Sequence, residues 1–273
     1  MSGQPYRMRI IVAVCLLVMC SCSSDPVPTG TFVHEKFVDL THPFEPETIV
    51  WPTEQNFRLI TQFQGDTPAG YYYSSNRIEM PEHGGTHIDA PIHFAKGGRT
   101  LDRIPLDKLI GAGVRIDVSS SCSRERDYRV MVRDLQQWES LNGTIPSHAI
   151  VLLDTGFARL WPNRRDYLGT ELRGPAGVRE LHFPGLHPEA AAWLIRERHV
   201  KAVGIDTASI DYGQSIGFES HVTLLSNDIA VFENVADLSL LPARGFNVVA
   251  LPMKIAEGSG GPLRIIAVMS EAK

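Results

Sequence analysis

Apolar positions along this chain follow two periods, a strand-like alternation early and a strand–helix succession later. Residues 36–40, 57–63 and 71–80 predict strands, the last two separated by a turn at Gly65, Pro68 and Gly70. Residues 114–118 predict another strand. A helix over 132–141 places Val132, Leu135 and Trp138 on one side. Residues 149–153 are apolar without interruption, the pattern of a strand covered on both faces. Pro188 suits the first turn of a helix to about residue 198, with Ala191, Leu194 and Ile195 as its buried stripe. Strands at 201–205, 229–232, 247–251 and 263–269, a helix from about Ser220 and a short helix at 235–240 complete the series. The succession predicts an α/β fold. No repeat or internal linker divides residues 32–273, so one domain with a mixed sheet or barrel-like core flanked by helices is expected.

The first 24 residues stand apart from this pattern. Arg7 and Arg9 precede an apolar run from Ile10 to Met19, the layout of an export signal and too short for a span of ~20 residues. Cleavage before Cys22 would leave a lipidated cysteine and a membrane attachment; ordinary secretory cleavage nearby would release the chain. Both lead to a periplasmic or extracellular protein. Residues 25–31 read as a Pro-containing linker.

Composition narrows the classes. A chain of 273 residues that is 43% hydrophobic and 21% charged can bury a large core. The formal net charge is −5 and no basic stripe occurs, which excludes a nucleic-acid partner. Cys15, Cys20 and Cys22 lie in the export segment, leaving Cys122 alone in the body as an inert thiol.

The chemistry concentrates in Glu82-His83-Gly84-Gly85-Thr86-His87-Ile88-Asp89-Ala90-Pro91-Ile92-His93. Ten histidines in the chain put about 0.4 in an eleven-residue window by composition; residues 83–93 hold three, plus an aspartate. Gly84, Gly85 and Pro91 argue against a helix, and in an extended segment His87 and Asp89 share a face. The glycine pair lets the chain curl so that His83 can join them. Imidazole nitrogens with a carboxylate oxygen suit Zn²⁺ or Mn²⁺. Thr86 is expected to hold the turn or orient a ligand.

Elsewhere the readings are plainer. Asp206 reads as a loop-bonding or capping residue, His182 and His187 as surface residues, and Trp51 with Tyr71–Tyr73 as strand core rather than pocket. Glu257 occupies the first glycine position that a Gly-x-Ser-x-Gly elbow at Ser259 would need.

The 83–93 segment resembles the His-x-Gly-Thr-His-x-Asp-x-Pro-x-His signature of the metal-dependent cyclase family, which includes bacterial kynurenine formamidase and isatin hydrolase. The likeness continues through Asp39-Leu40-Thr41-His42-Pro43, Trp51-Pro52, Gly204-Ile205-Asp206-Thr207 and the Gly-Ser-Gly-Gly-Pro segment at 258–262. It implies a swivelling-type fold and a homo-oligomer. It also implies metal-dependent cleavage of a carbon–nitrogen bond in a small amide, arylformamidase-like, with one or two Zn²⁺ or Mn²⁺ ions. In that reading His83, His87 and Asp89 are metal ligands, Asp89 bridging where two ions bind, and His93 is the catalytic acid/base. His221 and Glu233, twelve residues apart, complete the metal site. By local sequence alone Glu233 reads equally well as an exposed carboxylate after a strand. Residues 119–147 and 156–187 are longer than a minimal formamidase needs and are expected to shape a different pocket or an oligomer contact; isatin-type ring opening is the alternative among enzymes. A metal- or solute-binding lipoprotein without catalysis is the reading from another class.

Overall fold

Ile150–Asp154 is buried at every position, as the apolar run through Leu153 requires of its first four residues, and the rest of the fold is arranged around it. The computed structural model describes residues 35–270; the expected export segment, linker and Cys22 lie outside the described residues. In chain order the first strands are β1 (Glu35–Asp39), β2 (Arg58–Asp66), β3 (Tyr72–Glu79) and β4 (His87–Asp89). Then come β5 (Ile110–Asp117), β6 (Arg129–Val130), β7 (Ile150–Asp154) and β8 (Gly185–Leu186). The last four are β9 (Ala202–Ile205), β10 (Ala230–Glu233), β11 (Arg244–Pro252) and β12 (Gly260–Ser270).

The main sheet closes into a mixed barrel. Its order is β12-β11-β5-β7-β9-β10-β4, and β4 shuts the ring by pairing with β10 on one side and β12 on the other. β1 pairs with Ile266–Ser270 at the far end of β12. β5, β7, β9 and β10 run parallel, so each link between them needs a crossover. The helices Val132–Asn142, Pro188–Arg198 and Glu219–Leu225 supply those crossovers.

Alternation along each strand divides the apolar residues between two cores. Ile88, Ile150, Leu152, Ala202, Phe232, Val248 and Ile265 meet inside the barrel. Val151, Leu153, Val203 and Val231 point outward to Leu135, Leu194 and Leu224 of the crossover helices. Because Ile88 faces inward, its neighbours His87 and Asp89 must face outward, toward the helix layer. That single parity places the site.

Several expectations change in detail. The helix expected at 235–240 is only a 3₁₀ turn at Leu238–Leu240. The preceding residues are tied sideways instead: Val235 N–H donates to Ile205 O and Ala236 N–H to Leu40 O, which leaves no room for a longer helix. Tyr71, Tyr72 and Tyr73, expected in the core, are exposed, because β2 and β3 pair only with each other. The long 119–147 and 156–187 segments contribute Tyr128, Leu135, Trp138, Tyr167 and Phe183 to the outer core. Cys122 is buried there, and burial pushes its thiol pKa far up, which keeps it inert. No helix among the described residues is long and apolar enough to cross a membrane.

Candidate metal centre and active site

The antiparallel register of β4 on β10 sets His87 directly opposite Glu233. Both side chains leave the outer face, and the Glu219–Leu225 helix lays His221 over them. The result is two clusters that share Asp89. His83, His87 and Asp89 form one, and Asp89, His221 and Glu233 form the other, with the ligand atoms of each within 4.8 Å of one another. Asp89 is 1% exposed.

Each imidazole is anchored at its far nitrogen, which fixes its tautomer. Gly85 O accepts from His87 Nδ1 at 2.9 Å. That leaves the His87 Nε2 lone pair facing Asp89 Oδ1 at 3.2 Å and Glu233 Oε2 at 3.4 Å, buried and without a hydrogen bond. Asp211 Oδ2 accepts from His221 Nδ1 at 2.7 Å, so Nε2 turns its lone pair on Asp89 Oδ2 at 3.2 Å and Glu233 Oε1 at 3.0 Å. Ser259 Oγ donates to Glu82 Oε2 at 2.6 Å and therefore accepts from His83 Nε2 at 2.8 Å. His83 Nδ1 then faces Asp89 Oδ1 at 2.6 Å, acceptor to acceptor.

In the neutral tautomers that these anchors select, three lone pairs converge on two carboxylates. Divalent cations fit this donor set, since they satisfy nitrogen and oxygen acceptors at once. The field of the site says the same. Burial opposes charge on His87, yet the close approach of Asp89 and the charge of Glu233 outweigh it and raise its pKa. His221 is raised well above its ordinary value against the same desolvation, by Glu233, Asp211 and Asp89. Asp89 resists burial and is held well below the carboxylate range by His221, His83 and His87. The cluster demands positive charge.

His93 differs. It sits in the one-turn 3₁₀ helix Pro91–His93, stacked on His83 at 3.8 Å between ring centroids. Burial, with the neighbouring histidines against the pull of Asp89, lowers its pKa to about 4. It is a neutral base at neutral pH.

A cavity of about 420 Å³ opens over these groups, walled by Trp51, Phe94 and Phe218. Trp51 therefore lines the pocket, contrary to its expected place in a strand core. Phe218 has φ of 49°, a left-handed conformation unusual for an aromatic residue, and its ring lies 5.4 Å from Phe94 and 6.2 Å from Trp51. His182 pairs with Asp127 and His187 caps the Pro188–Arg198 helix, so neither reaches the cavity. Asp206 bonds the backbone N–H groups of Thr155 and Phe157, the loop role expected of it.

The residue pattern did not reveal Asp211, Glu82, Ser259 and Asn234. Asp211 takes the N–H groups of Ser220 and His221 as well as the His221 ring. Asn234 donates to Gly85 O and accepts from Thr86 Oγ1 through its carbonyl, locking the turn before His87; Thr86 holds that turn as expected. Asp211 and Asn234 are buried and Glu82 and Ser259 partly so, and burial is invisible in one sequence.

Comparison with known proteins agrees with this geometry. The profile of a family described as "Putative cyclase" matches residues 38–212. This chain belongs to that family. It is 28% identical to an isatin hydrolase of Roseibium aggregatum over 222 residues, 78% of this chain and 80% of the relative. It is 27% identical to a kynurenine formamidase of Bacillus cytotoxicus over 241 residues, 85% of this chain and 96% of that protein. The solved structure of isatin hydrolase A from Labrenzia aggregata, bound to benzyl benzoate, aligns with a TM-score of 0.78 and 32% identity, covering 87% of this chain and 95% of that one.

Proposed function

We propose that this chain is a metal-dependent hydrolase that cleaves the carbon–nitrogen bond of a small aromatic amide. The observation that carries the reading is Asp89, shared by two histidine-bearing clusters at the floor of an aromatic-walled cavity. In this reading His83, His87 and Asp89 would hold one ion, and Asp89, His221 and Glu233 would hold a second where two bind. When bound, such an ion supplies a Lewis acid that polarises a carbonyl and lowers the pKa of water from about 15.7 to ~7.

The remaining work falls to the protein's own side chains. Trp51, Phe94 and Phe218 stack on an aryl group, orient the amide and exclude bulk water. His93, neutral by burial, takes the proton of the attacking water and passes it to the departing nitrogen. Asp211, Ser259 and Gly85 O hold the three ligand rings in their working tautomers.

The primary substrate class is an N-formyl aryl amine, in line with the kynurenine formamidase relatives. A cyclic amide fused to an aryl ring is the second class, favoured by the likeness to isatin hydrolases. The mixed nitrogen and oxygen donors support Zn²⁺ or Mn²⁺. The N-terminal segment supports export, with Cys22 as the residue to examine by mass spectrometry for a lipid. The likeness to family members supports a homo-oligomer.

The test is a panel of N-formyl aryl amines and aryl-fused cyclic amides, assayed with Zn²⁺, Mn²⁺ and EDTA. Metal-dependent hydrolysis of one class is expected. No hydrolysis of any member with either ion would instead support a non-catalytic binder.

A further inference from the structure

Three arginines of this protein grip a carboxylate side-on, and Arg164 lacks such a partner among the described residues. Arg99 grips Asp228 with Nε at 3.1 Å and Nη2 at 3.0 Å, side-on. Arg198 holds Glu139 through the same two atoms at 2.6 and 2.7 Å, and Arg264 holds Asp39 at 3.1 and 2.6 Å. On Arg164 that edge is buried, and neither Nε nor Nη2 meets a hydrogen-bond partner among the described residues. Only Nη1 is engaged, donating to Val50 O at 3.1 Å.

The surroundings repeat the pattern. Trp161, three residues earlier, buries its Nε1–H without an acceptor, and His42, stacked on Trp161 at 4.2 Å, buries an unpartnered Nε2. Among the described residues, four of the six buried polar side-chain atoms without a partner belong to these three residues. His42 and Val50 belong to one segment, so Trp161 and Arg164 both lean on the same stretch of chain. Arg173 adds a second cation beside Arg164, anchored on Glu54 O. Burial and the repulsion of Arg173 draw the Arg164 guanidinium down to about 10, with no acid opposing them. A desolvated guanidinium with an open fork is costly unless an anion fills it.

We propose that Arg164, with Trp161 and His42, forms a binding site for a carboxylate, separate from the metal centre and just behind the wall of the substrate cavity. Two planar oxygens match the Nε and Nη2 edge as Asp228, Glu139 and Asp39 match Arg99, Arg198 and Arg264, and the Trp161 indole N–H, three residues away in the chain, is a further donor unpartnered among the described residues. Val50 and Trp51 line the substrate cavity, so occupancy of the site would stiffen that wall. The ligand could be a free small carboxylate or an aryl carboxylate released by hydrolysis.

The chain has four tryptophans, which makes the test direct. Sodium formate and sodium benzoate are titrated, against chloride at equal ionic strength, into ¹⁵N-labelled metal-loaded protein while the indole N–H resonances are followed. Trp161 is assigned by its loss in Trp161→Phe, and Trp51 in the same way. A saturable shift at Trp161, weakened at least about 10-fold in Arg164→Gln, is expected. Arg164→Lys keeps the charge without the fork, and it replaces the Gln variant if that fails to fold, with the same weakening expected. Saturation by formate points to a free small carboxylate, and by benzoate alone to an aryl one. A shift confined to Trp51, no saturable shift, or undiminished binding in a folded Arg164 variant would overturn the proposal. None of these outcomes depends on the hydrolase reading.

Discussion

His87 and Glu233 stand opposite each other on paired antiparallel strands, with His87 Nε2 3.4 Å from Glu233 Oε2. The two clusters therefore touch at this pair as well as through Asp89, and the barrel closure that makes β4 a strand is also what completes the candidate metal centre.

Removing the shared carboxylate should empty both clusters. Asp89→Ala is expected to reduce bound metal to near zero by elemental analysis, whereas Glu233→Gln, which removes a member of the His221 cluster and of that cluster alone, should retain metal at the other. Equal metal content in wild type and Asp89→Ala would end its assignment as a ligand.

His93→Ala leaves every member of both clusters in place. Turnover should fall ~10²–10⁴-fold with metal content unchanged. A variant with normal kcat would remove His93 from proton transfer.

Gly260 pairs with Asp89 across β12 and β4, and its missing side chain matters. A Cβ there would collide with both His83 Cε1 and the backbone oxygen of Ile88. Gly260→Ala should push His83 aside, lowering metal affinity by roughly 10–100-fold if the loss resembles that of a supporting contact. Isothermal titration with Zn²⁺ and Mn²⁺ checks it; unchanged affinity in a folded variant would contradict the close packing.

Stability should also report on His42. Burial, opposed by Asp237, lowers its pKa from 6.5 to about 4. Between those values the unfolded chain binds a proton that the folded chain refuses, so stability falls as pH drops from 6.5 toward 4 and is fully present above 6.5. Compared with His42→Phe, which keeps the stacked ring on Trp161, wild type should lose relative stability between pH 7 and 4.5. Urea midpoints at the two pH values measure this, and a pH-independent difference would refute it.

What the chain dictated locally was considerable. The apolar run at 149–153, the Pro188 helix start and the 247–251 and 263–269 strands follow from periods of two and 3.6 that neighbouring residues impose. His87 and Asp89 were legible as a pair because an extended backbone puts residues two apart on one face, whatever the rest of the protein does. Likeness to a family supplied His221 and Glu233; their own neighbourhoods did not, since a carboxylate ending a strand is usually exposed. Only the folded molecule decided that Glu233 is buried, because the register of β4 against β10 joins residues about 145 apart in the chain. The same holds for Asp211, Glu82 and Ser259, whose value lies in which ring nitrogen each one occupies. Hydrogen-bond partners and burial are properties of long-range packing, and that packing exists only once the barrel closes.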